Sequence, residues 1–216
     1  MIKPATREKI KGYLEGFIQG IVNEHKTGTL KPTDIRPTAT VSEDGNIKPF
    51  HEALLPDGIL RINEFERSFS TRLGTTFEET AKLIALDVHG TAARSKAVTG
   101  KVPKSALAFI EKTLNSTDKK GIRWNYTDLV SKIAKFKGPK SERTSVADLF
   151  VRTKFGMEMY FEIKSPKPNK GQCLEVTERL LKIQAIQRAR PKVRTYFAMA
   201  YNPYGDNRKY YKHSFT

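Results

Sequence analysis

At 216 residues, 38% of them hydrophobic, the chain can bury one substantial core and is too short for two comfortable ones. Its 39 lysines and arginines against 23 aspartates and glutamates give a formal net charge of +16, which points to a polyanionic partner. No stretch reaches the roughly 18 consecutive apolar residues of a spanning helix, which excludes membrane insertion, and the single cysteine, Cys173, with no secretory leader in Met1-Ile2-Lys3-Pro4-Ala5, makes a cytoplasmic location the expectation.

From Thr6 to about His25, Ile10, Leu14, Phe17, Ile18, Ile21 and Val22 recur at helical spacing behind Thr6 as a cap, which predicts an amphipathic helix. Lys26 to Pro49 mixes Pro32, Pro37 and Pro49 with Gly28 and Gly45, and reads as an irregular connection with a short strand around Ala39 to Val41. Gly58 to Ile62 leads into Glu64 to Phe69, and a helix opens around Gly74 to Glu79 and runs to about Val88 or beyond. Thr75 with Glu78, or Thr76 with Glu79, has capping-box spacing there. Further helices are expected from Pro103 to Leu114, with proline in the first turn, and from Tyr126 to Phe136, where Leu129, Val130, Ile133 and Phe136 mark one face. Residues 1–140 are therefore expected to be mostly helical.

The pattern changes at Val146. Val146 to Thr153 and Met157 to Lys164 read as two strands around Lys154-Phe155-Gly156, a three-residue hairpin loop with glycine at its left-handed position. Lys170 to Ala189 reads as a basic amphipathic helix, and Val193 to Tyr201 as an apolar strand that returns beside the hairpin through that crossover. The expectation is a single domain over residues 1–216 of the α/β class, a mixed central sheet flanked by helices with a helical N-terminal part. The aromatic ending from Tyr210 to Thr216 is unlike a solvated tail and leaves room for a chain that continues.

With a three-residue loop, Thr153 faces Met157, Arg152 faces Glu158, and Asp148 faces Glu162. Alternation then puts Asp148, Glu158, Tyr160, Glu162 and Lys164 on one face, and Leu149, Val151, Met157, Met159, Phe161 and Ile163 on the other. Opposed carboxylates have Cβ atoms roughly 5 Å apart and repel unless something positive lies between them. A divalent cation would supply that charge, and an all-oxygen ligand set favours Mg²⁺ over zinc. Lys164 beside the ion could orient or deprotonate an attacking water while the ion neutralises charge growing on a scissile phosphate, which is phosphodiester hydrolysis.

Ala147-Asp148, a spacer, then Glu162-Ile163-Lys164 on an apolar strand resembles the PD-(D/E)xK nucleases, with Ala147 where proline is common. The resemblance implies that Asp148 and Glu162 bind metal and that Lys164 activates water. Phe65-Glu66-Arg67-Ser68-Phe69-Ser70-Thr71-Arg72-Leu73-Gly74-Thr75-Thr76-Phe77-Glu78, followed by Lys164-Ser165-Pro166-Lys167-Pro168-Asn169-Lys170-Gly171-Gln172, resembles type II restriction endonucleases, particularly the TdeIII-type group. That likeness implies Glu78 as a further metal-binding acid from a helix before the hairpin, and Gln172 as a polar residue after the catalytic strand. It also implies double-stranded DNA as substrate, cut at a short palindromic site, with GGNCC the sequence associated with the group. A palindrome read by a single domain calls for a two-fold homodimer.

Lys167, Lys170, Arg188 and Arg190 cluster around this site with other cations and are candidates for tracking DNA phosphates. Glu24-His25-Lys26 and Asp118-Lys119-Lys120 also match acid-x-lysine, but only Glu162-Ile163-Lys164 lies on an apolar strand opposite an acid. Two rival readings remain: a structure-specific repair or junction nuclease with the same core, and a non-catalytic basic DNA-binding protein.

Overall fold

The computed structural model describes residues 2–26, 57–120, 124–205 and 207–209. The irregular connection and short strand expected before Pro49, and the aromatic ending, lie outside them. The chain divides into two compact units, Pro4–Thr76, and Met1–Lys3 with Phe77–Thr216. Among the described residues no helix is long and apolar enough to cross a membrane.

The first unit holds helix α1 (Pro4–Lys26) and the N-terminal part of helix α2 (Asp57–His89). α1 starts on Pro4, whose missing N–H is no loss in a first turn, so Thr6 lies inside the helix rather than capping it. Ile21 is buried, and Phe17 meets Phe69 at 5.7 Å between ring centroids. α2 runs unbroken through Gly74, where a cap and a new helix are expected from the sequence. A glycine inside a helix costs only about 1 kcal/mol, and the threonines turn their hydroxyls back along the helix instead of capping it. Thr71 donates to the Arg67 carbonyl at 2.9 Å, and buried Thr76 to the Arg72 carbonyl at 3.0 Å. α2 ends where Gly90, at φ 76°, donates its N–H to the Leu86 carbonyl at 3.0 Å, the left-handed stop that glycine makes inexpensive.

The second unit is built on a four-stranded sheet of β1 (Thr91–Pro103), β2 (Lys140–Arg152), β3 (Glu158–Lys164) and β4 (Val193–Met199), in that spatial order. β1 and β3 flank β2 antiparallel, and β4 pairs with β3 parallel. Helices α3 (Lys104–Lys120) and α4 (Tyr126–Lys135) connect β1 to β2, and α5 (Lys170–Ile186) makes the crossover from β3 to β4. This is the expected mixed α/β sheet. It differs from the expectation in β1, which falls within the stretch read as mostly helical. β1 is an edge strand on which Ser95, Lys96 and Ala97 are exposed in succession, so its alternation is weak in the sequence. Its pairing from Thr91↔Arg152 to Pro103↔Lys140 also extends β2 back to Lys140, before the apolar run that begins at Val146.

One core joins Val98, Val102, Phe150, Tyr160 and Val193 of the sheet to Ala106 and Ile110 of α3, Leu129 and Ile133 of α4, and Leu181, Ile183 and Ile186 of α5. α5 is less amphipathic than its charge suggests. Leu180, Leu181, Ile183, Gln184, Ala185 and Ile186 are all buried, so its C-terminal half is covered on most sides. Its start is fixed by a capping box: Asn169 Oδ1 accepts from the Gln172 N–H at 2.8 Å, and Gln172 Oε1 accepts from the Asn169 N–H at 3.0 Å.

Candidate active site

The β2–β3 hairpin has the register that its loop length predicts. Thr153 and Met157 close it through an N–H to carbonyl bond of 2.9 Å, Gly156 adopts φ 76°, and the pairs run from Arg152↔Glu158 to Leu149↔Phe161. Beyond Leu149 a side chain takes over from the ladder, for the Ile163 N–H donates to Asp148 Oδ2 at 2.7 Å. On its other side, Asp148 lies between the pairs Arg94↔Leu149 and Lys96↔Ala147, opposite Ser95, whose φ is 50°.

The face of β2 changes at this point. The Ser145 hydroxyl donates to the Arg179 carbonyl of α5 at 3.4 Å, and Ala147 belongs to the core beneath α5. Phe150 belongs to the same core and packs on Tyr160 at 5.1 Å. Ser145 and Phe150 differ in parity yet share a side of the sheet, so strict alternation slips once between them. The slip falls at Asp148, and the left-handed Ser95 backbone is its counterpart on β1. Strand distortions of this kind re-aim a side chain next to a functional site.

Glu162 is 0% exposed, although a solvated strand face is the ordinary setting for an acid between polar neighbours. Its Oε2 accepts from Arg179 Nη1 at 2.7 Å, and its buried Oε1 has no hydrogen-bond partner among the described residues. Lys164 Nζ lies 3.9 Å from Asp148 Oδ2. Burial first, and the facing Asp148 carboxylate second, push the Glu162 carboxyl up to about 7, against the opposing pull of Arg179 and Lys164. Asp148, Glu162 and Lys164 thus lie close enough to act on one another electrostatically.

The remaining sequence-predicted residues are placed differently. Glu78 on α2 is held by Arg94 of β1, whose Nε and Nη2 donate to Glu78 Oε2 at 3.0 and 2.9 Å. Arg94 Nη1 also reaches Glu79 at 3.3 Å, and Lys82 pairs with Glu79 at 2.5 Å. Burial works to raise the Glu79 carboxyl, but Lys82 and Arg94 outweigh it and hold the group below its ordinary value. Among the described residues no three acids, histidines or cysteines form a metal-sized cluster, so Glu78 does not join Asp148 and Glu162 here.

Gln172 is engaged in the α5 capping box, and exposed Lys170 opens that helix. Lys167, at φ 58°, sets its ammonium 5.1 Å from the Tyr204 ring centroid. Arg188 is exposed at the end of α5. Arg190 is tied to Glu158 at 2.8 Å, and Glu158 also holds Arg152 at 3.1 Å.

Arg179 is the site residue that sequence reasoning misses. Its spacing from Glu175 is a readable i,i+4 pair, but its approach to Glu162 depends on how α5 packs across β3.

The model of the HinfI type II restriction endonuclease family matches residues 5–216. Three curated proteins from Herpetosiphon aurantiacus are similar over essentially the whole chain. The type II restriction enzyme HgiCII is 43% identical over 220 residues, which cover 99% of this chain and 81% of that protein. HgiBI is 40% identical over 224 residues and HgiEI 41% identical over 223, each covering 100% of this chain and 81% of the relative. No solved structure matches. The expected likeness to type II restriction endonucleases is borne out, under the family name HinfI rather than TdeIII, and the chain belongs to the HinfI family of type II restriction endonucleases.

Proposed function

We propose that this protein is a magnesium-dependent, site-specific deoxyribonuclease that hydrolyses phosphodiester bonds of duplex DNA at a short palindromic site. Asp148 and Glu162 hold the ion, and Lys164 addresses the water. The observation that carries this reading is Glu162, a fully buried acid facing Asp148, with one oxygen on Arg179 and the other without a hydrogen-bond partner among the described residues. A buried, unpartnered carboxylate oxygen is costly unless it serves a ligand, and hard oxygen donors suit Mg²⁺.

Bound there, Mg²⁺ would supply the positive charge that makes water easier to deprotonate and stabilises the crowded phosphate. The protein's own groups have separable tasks. The Ile163 N–H fixes the Asp148 carboxylate through Oδ2, and Arg179 fixes Glu162 through Oε2. Lys164, half-buried beside Asp148, is within reach to orient the attacking water and receive its proton at Nζ when that amine is neutral. The net charge of +16 favours DNA through counterion release, with Lys167, Lys170 and Arg188 as phosphate contacts. Arg190 could join them on leaving Glu158, and Gln172 through its exposed edge. Glu78 enters as a third metal acid only on release from Arg94.

Resemblance supports a palindrome, with GGNCC the sequence associated with the likeness, and two-fold recognition then calls for a homodimer whose sites address opposite strands. The test is incubation of plasmid DNA with the protein in Mg²⁺ or in EDTA, beside Lys164→Ala. Discrete, magnesium-dependent fragments lost in the variant support the proposal, and their sequenced ends report the site. Cutting only at junctions or damaged duplex would favour a structure-specific nuclease, and retardation without cutting a binding protein.

A further inference from the structure

Arg179 contacts two acids with different fates. Nη1 donates to buried Glu162 at 2.7 Å, and Nη2 to Glu175 at 2.6 Å, one turn earlier on α5 and 61% exposed. A structural arginine–carboxylate pair commonly forms a two-pronged fork on a single carboxylate. Here the guanidinium spreads across two, giving one nitrogen to each and leaving Glu162 Oε1 without a hydrogen-bond partner among the described residues. The backbone beneath it is also tied down, with Val176 and Leu180 buried and the Arg179 carbonyl accepting from the Ser145 hydroxyl at 3.4 Å. Glu175 therefore holds Arg179, and Arg179 holds Glu162.

We infer that Arg179 is a positioning residue of the active site, fixing Glu162 by Oε2 so that Oε1 is presented to a divalent cation. The inference rests on the reading of Glu162 as a metal ligand. Asp148 is served in a parallel way, one of its oxygens being held by a backbone N–H. Groups that orient a ligand in this manner commonly change metal affinity or activity about 10- to 100-fold when removed. A guanidinium close to a cation site also repels the cation, so a role in charge alone has the opposite sign: removing it would tighten metal binding.

The experiment compares wild type, Arg179→Met, Arg179→Lys and Glu175→Gln. It measures Mn²⁺ binding to the DNA-free protein by electron paramagnetic resonance, and the Mg²⁺ concentration for half-maximal cleavage. Positioning predicts that Arg179→Met weakens both on the order of 10-fold or more, that added Mg²⁺ recovers cleavage, and that DNA retardation in EDTA is retained. Arg179→Lys, with charge kept and geometry changed, should fall between it and wild type, and Glu175→Gln should show a smaller shift in the same direction. Unchanged or tighter Mn²⁺ binding in Arg179→Met overturns the inference. Should that variant not fold, wild-type metal behaviour in Arg179→Lys and Glu175→Gln overturns it equally. If wild type itself neither binds Mn²⁺ nor cuts, the proposed function fails instead.

Discussion

The N–H of Ile163 donates to Asp148 Oδ2 at 2.7 Å, so the first acid of the site also continues the hairpin past its last paired residues, Leu149 and Phe161. Charge and hydrogen bonding can therefore be separated at Asp148. An Asp148→Asn amide oxygen can still accept from Ile163, whereas Asp148→Ala leaves that N–H unpaired. In urea unfolding, Asp148→Ala should lose about 1–3 kcal/mol and Asp148→Asn distinctly less, while both abolish magnesium-dependent cutting. Equal stability losses would mean that the bond to Ile163 contributes nothing particular.

The entrance of α5 depends on Asn169, which caps it reciprocally with Gln172. Asn169→Ala should cost about 1 kcal/mol of stability, measured by the urea midpoint at unchanged slope. Gln172→Ala removes only the returning half of the box and should cost less. If Gln172 also touches DNA, its variant will weaken retardation beyond what Asn169→Ala does, which separates the contact from the cap.

The hairpin was legible because its register follows from local rules: a three-residue loop with Gly156 fixes which residues face each other, and alternation places Glu162 and Lys164 on one face. β1 was not legible. Its pairing with β2 spans the whole of α3 and α4, and an edge strand carrying Lys96 and Lys101 has no clear apolar period. Thr75 and Thr76 match a helix start locally, but α2 continues through them because their hydroxyls can bond backwards. The burial of Glu162 and the approach of Arg179 are tertiary facts, produced by α5 covering β3, and no spacing encodes them.

β1 packs closely on α5 at Gly100, where an added Cβ would stand 2.8 Å from Ile186 Cγ2. Ile186 is buried in the core and cannot swing into solvent. Gly100→Ala should therefore destabilise by about 1–3 kcal/mol through overpacking, despite alanine's otherwise favourable effect on the unfolded chain. Combined with Ile186→Ala, which removes the obstructing methyl, it should cost less than the sum of the single changes. Strict additivity in that double-mutant cycle would refute the steric account.

Glu162 sets an unusual pH dependence for the metal-free protein. Burial, then Asp148, raises its carboxyl to about 7, whereas the same group in an unfolded chain titrates near its ordinary value of 4.5. Between those values the folded protein holds a proton that the unfolded chain has released, so stability falls as pH rises through the window. That is the reverse of an acid held below its ordinary value by an ion pair. Glu162→Gln removes the ionisation, so in EDTA its melting temperature should gain on wild type between about pH 5 and about pH 8, with little difference at the acid end. Mg²⁺ should close the gap by stabilising the ionised wild type, an effect the glutamine variant lacks. The linkage account fails if the two melting curves run parallel across that range in EDTA, because Glu162 would then titrate alike in the folded and unfolded chains.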